Sequence, residues 1–571
     1  MPFSLRPAVV ALLALMPLAT PVLAESAAGT YLSARAATAA NDFRAATGLY
    51  DAALAANPGN PALLDGAVIA NIEAGTVARA AELARVFVAA GGKSQQSHLA
   101  IMAEKALSGD FAGILADGKA GDIASGNGAL FDDLVQAWAE LGAGEMAQAL
   151  ADFDKIAKTP GLEFFGHYNK ALALASAGDF EGAEAILSGK SGTSLQTDRR
   201  GVLARVQVLS QLERNKAAIA LLDKNFGRGQ DPGVDDLIRR LEAGEPLPFD
   251  IVWNATDGLA EVFYMLGAAL SGDADEGYVL VYGRIALHLR PGHVDATLLT
   301  AEQLEKLGQH DLASEVYAAI KPSDPAYYIA EIGRAAATRA AGRPEAAIEI
   351  LQALARSHGQ IVTVQTALGD GLRRDERYGE AVKAYDAALA MIPTPTRAQW
   401  PLFYARGICH ERLGQWDLAV ADFRRSLQLD PEQPQVLNYL GYSFVEKGEN
   451  LDEALQMIQR AVAARPDAGY ILDSLAWAYF TLGRYDEALA PMERASLLEP
   501  VDAVVTDHLG DVYWKVGRTL EARFQWHRAL SFKPTDKDAA RIRRKLDLGL
   551  DAVMAEEAAA PVKVEAVENG N

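Results

Sequence analysis

The chain has little of what enzymes and metalloproteins use at their reactive sites. Its 571 residues include nine histidines and a single cysteine, Cys409. One cysteine excludes an intramolecular disulfide and any zinc site built from cysteine pairs. The sequence also contains no His-Glu-x-x-His and no Gly-x-Ser-x-Gly pattern. We therefore expect a protein that is not an enzyme and that uses no metal and no cofactor.

Positive charge is scarce as well. Lysine and arginine number 54 against 75 aspartates and glutamates, which gives a formal net charge of −21. Nucleic acids and anionic lipids attract proteins of positive potential, so we expect neither as the main partner. The excess of carboxylates favours a protein partner that carries basic side chains.

A third pattern that is missing is the alternation of β-branched and polar residues that is typical of strands. Hydrophobic residues make up 50% of the chain, and alanine, the best helix former, dominates them. These features predict an all-α fold. A length of 571 residues exceeds what one globular core supports, whereas stacked repeats avoid that limit because each unit packs only on its neighbours.

The first 24 residues differ from the rest of the chain. Arg6 is their only charge, and an apolar run, Ala8–Met16, is too short to span a bilayer. The segment ends in Val-Leu-Ala, and Ala24 is the small residue that a signal peptidase requires. We expect a secretory signal that is cleaved near Ala24/Glu25, with an uncleaved membrane anchor as the alternative. No cysteine lies near the cleavage point, so lipidation there is not expected.

What the chain does have is a pattern that repeats every 34 residues, clearest in residues 469–536. The two copies contain, in the same order, Leu475, Ala476, Tyr479, Gly483, Tyr485, Ala488, Met492, Ala495 and Pro500, and then Leu509, Gly510, Tyr513, Gly517, Ala522, Trp526, Ala529 and Pro534. The small residues allow two helices to approach closely, and the large residues fill the space between them. The glycine ends the first helix, and the proline begins the next unit.

This pattern resembles the tetratricopeptide repeat, a 34-residue pair of helices. The resemblance implies a right-handed superhelical solenoid of helix pairs that binds other proteins. It predicts a signal peptide at 1–24, degenerate N-terminal repeats at 25–227, a C-terminal array at 260–534, a capping helix at 535–550 and a disordered tail at 551–571. Between the arrays, the Gly- and Pro-rich segment 228–259 is either a hinge or one decayed repeat with a long loop.

The same resemblance implies where a partner binds, because the first helix of each repeat lines the concave groove of the family's solenoids. The groove positions of the last three repeats are Asn438, Tyr442, Tyr470, Asp473, Trp477, Phe480, Asp507, Asp511 and Trp514. Aromatic side chains among carboxylates suit a peptide or helix with apolar anchors and basic flanks. Trp477 and Trp514 either contact the ligand or pack between repeats. The three aspartates are expected to mark an open polar surface, since aspartate is rare in cores.

The C-terminal third, from Leu437-Asn438-Tyr439-Leu440-Gly441 to Val512-Tyr513-Trp514, is similar to exported tetratricopeptide proteins of Gram-negative bacteria. Some of those relatives are adaptors that bring substrates to a periplasmic carboxyl-terminal processing protease. The resemblance implies a periplasmic, non-enzymatic adaptor that binds a segment of an envelope protein. The alternative is a permanent structural subunit of an envelope secretion, outer-membrane or polysaccharide-export assembly.

Overall fold

A computed structural model describes residues 27–120, 128–189, 199–229 and 231–559. Within these ranges the chain forms 31 α-helices, one short 3₁₀ helix and no β-strand. The prediction of an all-α array of helix pairs is confirmed. None of the helices in these ranges is long and apolar enough to cross a membrane. The predicted signal peptide at 1–24 lies outside the described residues. The helices separate into two compact units, residues 1–350 and 351–571.

The first unit contains eighteen complete helices and the beginning of a nineteenth. They are α1 (Ala27–Ala39), α2 (Phe43–Ala56), α3 (Pro61–Ala74), α4 (Val77–Ala89), α5 (Gln95–Ser108), α6 (Phe111–Ala120), α7 (Ala129–Gly142), α8 (Met146–Ala157), α9 (Glu163–Ser176), α10 (Phe180–Leu187), α11 (Arg199–Gln211), α12 (Asn215–Phe226), α13 (Pro232–Glu242), α14 (Ala255–Leu270), α15 (Glu276–Leu289), α16 (Val294–Lys306), α17 (His310–Tyr317), α18 (Tyr327–Ala340) and α19 (Pro344–His358).

The second unit contains the clearest repeats of the sequence. Its helices are α20 (Val362–Arg374), α21 (Tyr378–Ala390), α22 (Trp400–Arg412), α23 (Trp416–Leu429), α24 (Pro434–Lys447), α25 (Leu451–Ala464), α26 (Gly469–Thr481), α27 (Tyr485–Leu498), α28 (Ala503–Lys515), α29 (Thr519–Ser531), α30 (Asp536–Leu548) and α31 (Leu550–Ala559). The 3₁₀ helix, Arg397–Gln399, precedes α22.

Within each repeat the two helices meet where the first one carries a small residue. A Cβ atom on Gly407 of α22 would lie 2.7 Å from the ring of Phe423 in α23. A Cβ atom on Gly510 of α28 would lie 2.4 Å from the indole nitrogen of Trp526 in α29. Both rings are fully buried. The sequence-based explanation of the small positions is therefore confirmed, because any larger side chain would push the paired helices apart.

The turns between paired helices also follow from the sequence. Gly483 after α26 and Gly517 after α28 have φ angles of 73° and 84°. This left-handed conformation is the one that glycine adopts without steric cost, and it ends a helix by redirecting the chain. The repeat pattern thus fixes both the end of the first helix and the start of the second.

The predicted interruption, residues 228–259, contains a helix, α13. Asp231 begins it, because its carboxylate accepts hydrogen bonds from the backbone N–H groups of Gly233 and Val234. Val234, Ile238 and Leu241 are buried in the same core as residues of α11 and α12. The chain then runs without a helix from residue 243 to 254. Of the two alternatives, the packing of α13 and the loop after it favour the decayed repeat with a long loop.

The core of the first unit also continues across this loop. Glu261 of α14 is buried and accepts a hydrogen bond of 2.7 Å from Arg200 of α11, and it lies 3.1 Å from His293 of α16. Trp138 of α7 packs so closely on Gly258 that a Cβ atom there would overlap its ring. The helices before and after residues 228–259 therefore belong to one unit. The two compact units divide at residues 350/351, whereas the predicted interruption between the arrays lay at residues 228–259.

The C-terminal end is longer than predicted. The expected capping helix is present as α30, but a second helix, α31, follows it and occupies residues that were predicted to be disordered. Leu550 and Val553 of α31 are fully buried, so the prediction of a disordered tail is wrong for residues 551–559. Residues 560–571 lie outside the described part of the chain. Burial of α31 matters for function, because it changes which groove positions are open.

Candidate partner-binding surface

Two of the predicted groove carboxylates, Asp507 and Asp511, are buried and share a cation. The ammonium group of Lys545 in α30 lies 2.6 Å from Oδ1 of each. Lys545 and Asp511 are both 0% exposed. Trp526 adds a hydrogen bond of 2.8 Å from its indole N–H to Asp511. The prediction that these aspartates mark an open polar surface is therefore wrong, because α30 covers and neutralises them.

The third carboxylate, Asp473 of α26, is also buried. Its Oδ1 lies 2.9 Å from Nδ1 of His508 on the next repeat. Burial lowers the pKa of His508, but Asp473, together with Asp507 and Asp511, outweighs that effect and raises the pKa above its ordinary value. The contact between His508 and Asp473 joins α26 to α28. Asp473 serves the packing between repeats, and its prediction as an open groove residue was wrong.

Trp477 and Phe480 of α26 contribute to the same junction. The ring of Trp477 stacks on that of His508 with centroids 3.8 Å apart, and on that of Phe480 at 4.7 Å. Phe480 is buried in the core of the last repeats. Of the two interpretations of Trp477, packing between repeats is therefore the one that the contacts support.

Trp514 of α28 is covered by the C-terminal helices. Its indole N–H donates a hydrogen bond of 2.9 Å to Asp551 of α31. Gly549, which connects α30 to α31, lies against the ring so closely that a Cβ atom would be 2.7 Å from Trp514. Trp514 thus holds α31 in place, which accounts for a tryptophan at this position without any bound partner.

Of the other predicted residues, Tyr442 of α24 and Tyr470 of α26 remain at least partly exposed, whereas Asn438 of α24 is buried. Tyr470 is 43% exposed and Tyr442 is half-buried, while Asn438 is 9% exposed. The side-chain oxygen of Asn438 is buried and has no hydrogen-bond partner. A buried acceptor without a donor costs about 1–3 kcal/mol, and a water molecule or a ligand can supply the missing donor. We call these three residues, together with the cavity described next, the upstream face.

The cavity of the upstream face lies between α22 and α24. It has a volume of about 370 Å³ and is lined by Glu411, Arg412, Tyr439, Tyr442, Ser443, Glu446 and Lys447. The two tyrosines of the cavity stay neutral. Burial and the nearby Glu411 raise the pKa of Tyr439 to about 12. Burial and the nearby Glu446 also raise the pKa of Tyr442. The sequence analysis missed Tyr439 and Glu411, because it followed only the four groove positions of each repeat.

The charges of this cavity are partly engaged. Glu411 accepts a hydrogen bond of 3.3 Å from Tyr439 and lies 3.4 Å from Arg412. The ammonium group of Lys447 lies over the ring of Trp416, 4.8 Å from its centroid. Glu446 is exposed beside Tyr442. The upstream face therefore combines aromatic walls, an unpaired amide acceptor and an accessible carboxylate.

Among the described residues there is neither a cluster of metal-binding side chains nor an exposed thiol. They contain no group of three or more histidine, cysteine, aspartate or glutamate side chains that could hold a metal ion. Cys409 is fully buried in α22, and burial raises the pKa of its thiol to about 11. A thiol with that pKa is almost entirely protonated at neutral pH and is a poor nucleophile.

Comparison with known proteins gives a consistent assignment. The sequence model described as "Tetratricopeptide repeat" matches residues 333–398, 366–434, 404–469 and 440–497. A TPR repeat-containing protein of Pseudomonas aeruginosa is 26% identical over 174 residues, which are 30% of this chain. The chain spans only 28% of the length of that relative.

Solved structures resemble the chain over longer ranges. A crystal structure of the APC/C hetero-tetramer Cut9–Hcn1 matches with a TM-score of 0.39 and 16% identity. The match covers 92% of this chain and 97% of the Cut9–Hcn1 chain. A tetratricopeptide repeat protein from Parabacteroides merdae has a TM-score of 0.37 and 18% identity, with 44% of this chain and 97% of that chain covered. Both TM-scores are below 0.5, so nothing further rests on them. The repeat match and the paired helices agree, and residues 333–497 therefore consist of tetratricopeptide repeats.

Proposed function

We propose that the chain is a non-enzymatic adaptor of the bacterial periplasm and that its upstream face binds a segment of an envelope protein. Helix-pair repeats of this family serve protein–protein interaction, which supports the scaffold role. Export rests on residues 1–24, whose charge, apolar run and final alanine are typical of a secretory signal. Presentation of the bound protein to a periplasmic protease is the more specific form of the proposal.

The observation that carries the binding site is the buried, unpartnered oxygen of Asn438 beside Tyr442 and the cavity of about 370 Å³. A backbone N–H of an extended peptide would satisfy this oxygen. An apolar or aromatic side chain of the peptide would pack on Tyr470, which is exposed. Because Lys545 already pairs with Asp507 and Asp511, these aspartates are not expected to bind basic side chains of the peptide. The remaining charge contact is between Glu446 and one basic side chain of the peptide.

Replacing Asn438 with leucine tests the proposal. The substitution removes the unpaired acceptor, so we expect the free energy of unfolding to rise by about 1 kcal/mol while partner binding falls. Crosslinking mass spectrometry on cell envelopes would measure binding, and thermal unfolding would measure stability. Gln456→Ala is the matched control, because Gln456 is an exposed amide on α25 of the same repeat.

The outcome separates a binding role from a structural one. If Asn438→Leu loses one or two crosslinked proteins that the control retains, those proteins identify the partner. If all crosslinks persist, the upstream face is not the binding site. Recovery of the chain in one stoichiometric complex that survives both substitutions would favour the alternative function, a permanent subunit of an envelope assembly.

A further inference from the structure

The α30 helix has the chemical character that the sequence led us to expect of a partner. The predicted ligand was a helix with apolar anchors and basic flanks, and α30 presents Ile542 and Leu546 to the core of the last repeats. Its two basic residues on the same side are Arg541 and Lys545. Arg541 lies 3.4 Å from Asp511, and Lys545 lies 2.6 Å from both Asp507 and Asp511. The groove surface of the last repeat is thus occupied by the chain itself.

The α31 helix also contacts α28. Gly549 has a φ angle of 85°, which turns the chain back on itself after α30. Asp551 then accepts hydrogen bonds from Trp514 and Lys515 of α28. Glu557, two turns further on, accepts a hydrogen bond of 2.9 Å from Arg541. The two helices therefore form a hairpin, which we call the C-terminal hairpin (residues 536–559), and it covers α28 through polar contacts as well as apolar ones.

Two features characterise the attachment of this hairpin. Its central anchor is a buried ion pair, and the desolvation of the charges offsets much of the attraction between them. Its link to α29 is also strained: Lys533 has a φ angle of 54°, and Pro534 follows it. A residue before proline favours extended conformations, so a left-handed lysine at this place opposes the docked position.

We propose that the C-terminal hairpin is a displaceable intramolecular ligand of the α28–α29 surface. When the hairpin leaves, this surface binds an amphipathic helix of a partner protein that places one lysine between Asp507 and Asp511. The lysine is flanked by aliphatic side chains three residues before and one residue after it, as Ile542 and Leu546 flank Lys545. The inference rests on the proposed function as an adaptor, and it adds a second binding surface that the hairpin keeps closed.

A synthetic peptide of residues 535–559, labelled with a fluorophore, tests the exchange on the full-length chain. The native chain should bind this peptide at least a hundredfold more weakly than a Lys545→Gln variant of the chain does. In the variant, the hairpin lacks the cation that pairs with Asp507 and Asp511, so it competes less well with the peptide. The same peptide carrying Lys545→Gln should bind the variant at least tenfold more weakly than the native peptide does. Fluorescence anisotropy measures each affinity.

Arg543→Gln is the matched control, since Arg543 lies on the same helix and is exposed. It removes one positive charge outside the aspartate contact, so its peptide binding should equal that of the native chain. Gly549→Ala opens the hairpin by a different route, because its Cβ atom would collide with Trp514. This second variant should also bind the peptide. Hydrogen-exchange protection of α20–α27 shows in each case that the repeats remain folded.

Two results would overturn the inference. The first is that neither Lys545→Gln nor Gly549→Ala binds the peptide although their repeats keep native protection, which would make the hairpin a permanent part of the fold. The second is that the peptide binds equally with or without its lysine, which would make the binding non-specific. Neither result depends on the crosslinks at Asn438, so failure of this inference is distinguishable from failure of the adaptor proposal.

Discussion

Asp507 makes the attachment of the C-terminal hairpin depend on pH. Burial, and then the neighbouring carboxylate of Asp511, raise the pKa of Asp507 from 3.8 to about 6. A raised pKa means that the folded state holds this proton more tightly than the unfolded state does. Its stabilising contribution is therefore complete below about pH 3.8 and is lost as the pH rises to about 6.

The magnitude follows from the shift. Each pKa unit corresponds to about 1.4 kcal/mol, so the loss over the whole titration is roughly 3 kcal/mol, of which about 2 kcal/mol falls between pH 4.5 and 7. The charged and titratable groups around Asp507 are Asp473, His508 and Asp511 from α26 and α28, and Arg541 and Lys545 from α30. The pKa of His508 is also raised, so its protonation stabilises the folded state as well. That contribution is lost as the pH rises above the ordinary pKa of histidine.

Replacing Asp507 with asparagine isolates this effect, because asparagine does not titrate. We expect the stability of α30 in the variant to gain about 2 kcal/mol relative to the native chain between pH 4.5 and 7. Native-state hydrogen exchange of the α30 amides, corrected for intrinsic rates, measures the difference. Asp547→Asn is the control, since Asp547 is exposed on the same helix. A difference that is constant with pH, or that changes in the opposite direction, would refute the reasoning.

Two further substitutions test the packing within repeats. Ala488 is fully buried between α26 and α27. Ala488→Trp should therefore overpack this contact and lower the free energy of unfolding in urea by about 1–3 kcal/mol. An unchanged unfolding midpoint would show that the repeat register is wrong. Gly510→Ala should cost a similar amount, about 1–3 kcal/mol, because the added Cβ atom would lie 2.4 Å from Trp526. Gly379→Ala is its control, since nothing lies within 4 Å of that position, and it should leave stability unchanged or raise it by about 0.5–1 kcal/mol. Equal losses at Gly510 and Gly379 would contradict the close-contact explanation.

The sequence predicted the helix pairs because the information for them is local. A period of 34 residues fixes the small position, the large residue that covers it and the glycine that ends the first helix. Gly510, Trp526 and Gly517 play these parts in the structure as the pattern predicts. Gly and Pro in residues 228–259 were a weaker guide, since they mark a loop and the start of α13 and not a loss of contact between units.

The candidate site was harder to predict because its exposure depends on helices that come later in the chain. When only their own repeat is considered, Asp507 and Asp511 occupy positions that would be exposed in the groove. The missing signal was present, however: Arg541 and Lys545 follow them by 34 residues and therefore occupy the same two positions of the next unit. The α31 helix was missed because its alanines and glutamates do not form an apolar stripe, and only its tertiary contacts bury Leu550 and Val553.

The contact between small and large residues has a consequence for assembly of the chain. Gly369, Gly407 and Gly510 face aromatic rings of the partner helix, at Tyr385, Phe423 and Trp526. The corresponding place in α26 is Ala476, and the large position of its partner α27 is Met492, which is flexible. A helix that carries a ring cannot pack on α26 as closely as its own partner does. Repeats of one pattern risk pairing with the wrong neighbour while they fold, and the difference in size disfavours an exchange between α27 and the helices α21, α23 and α29, which carry rings.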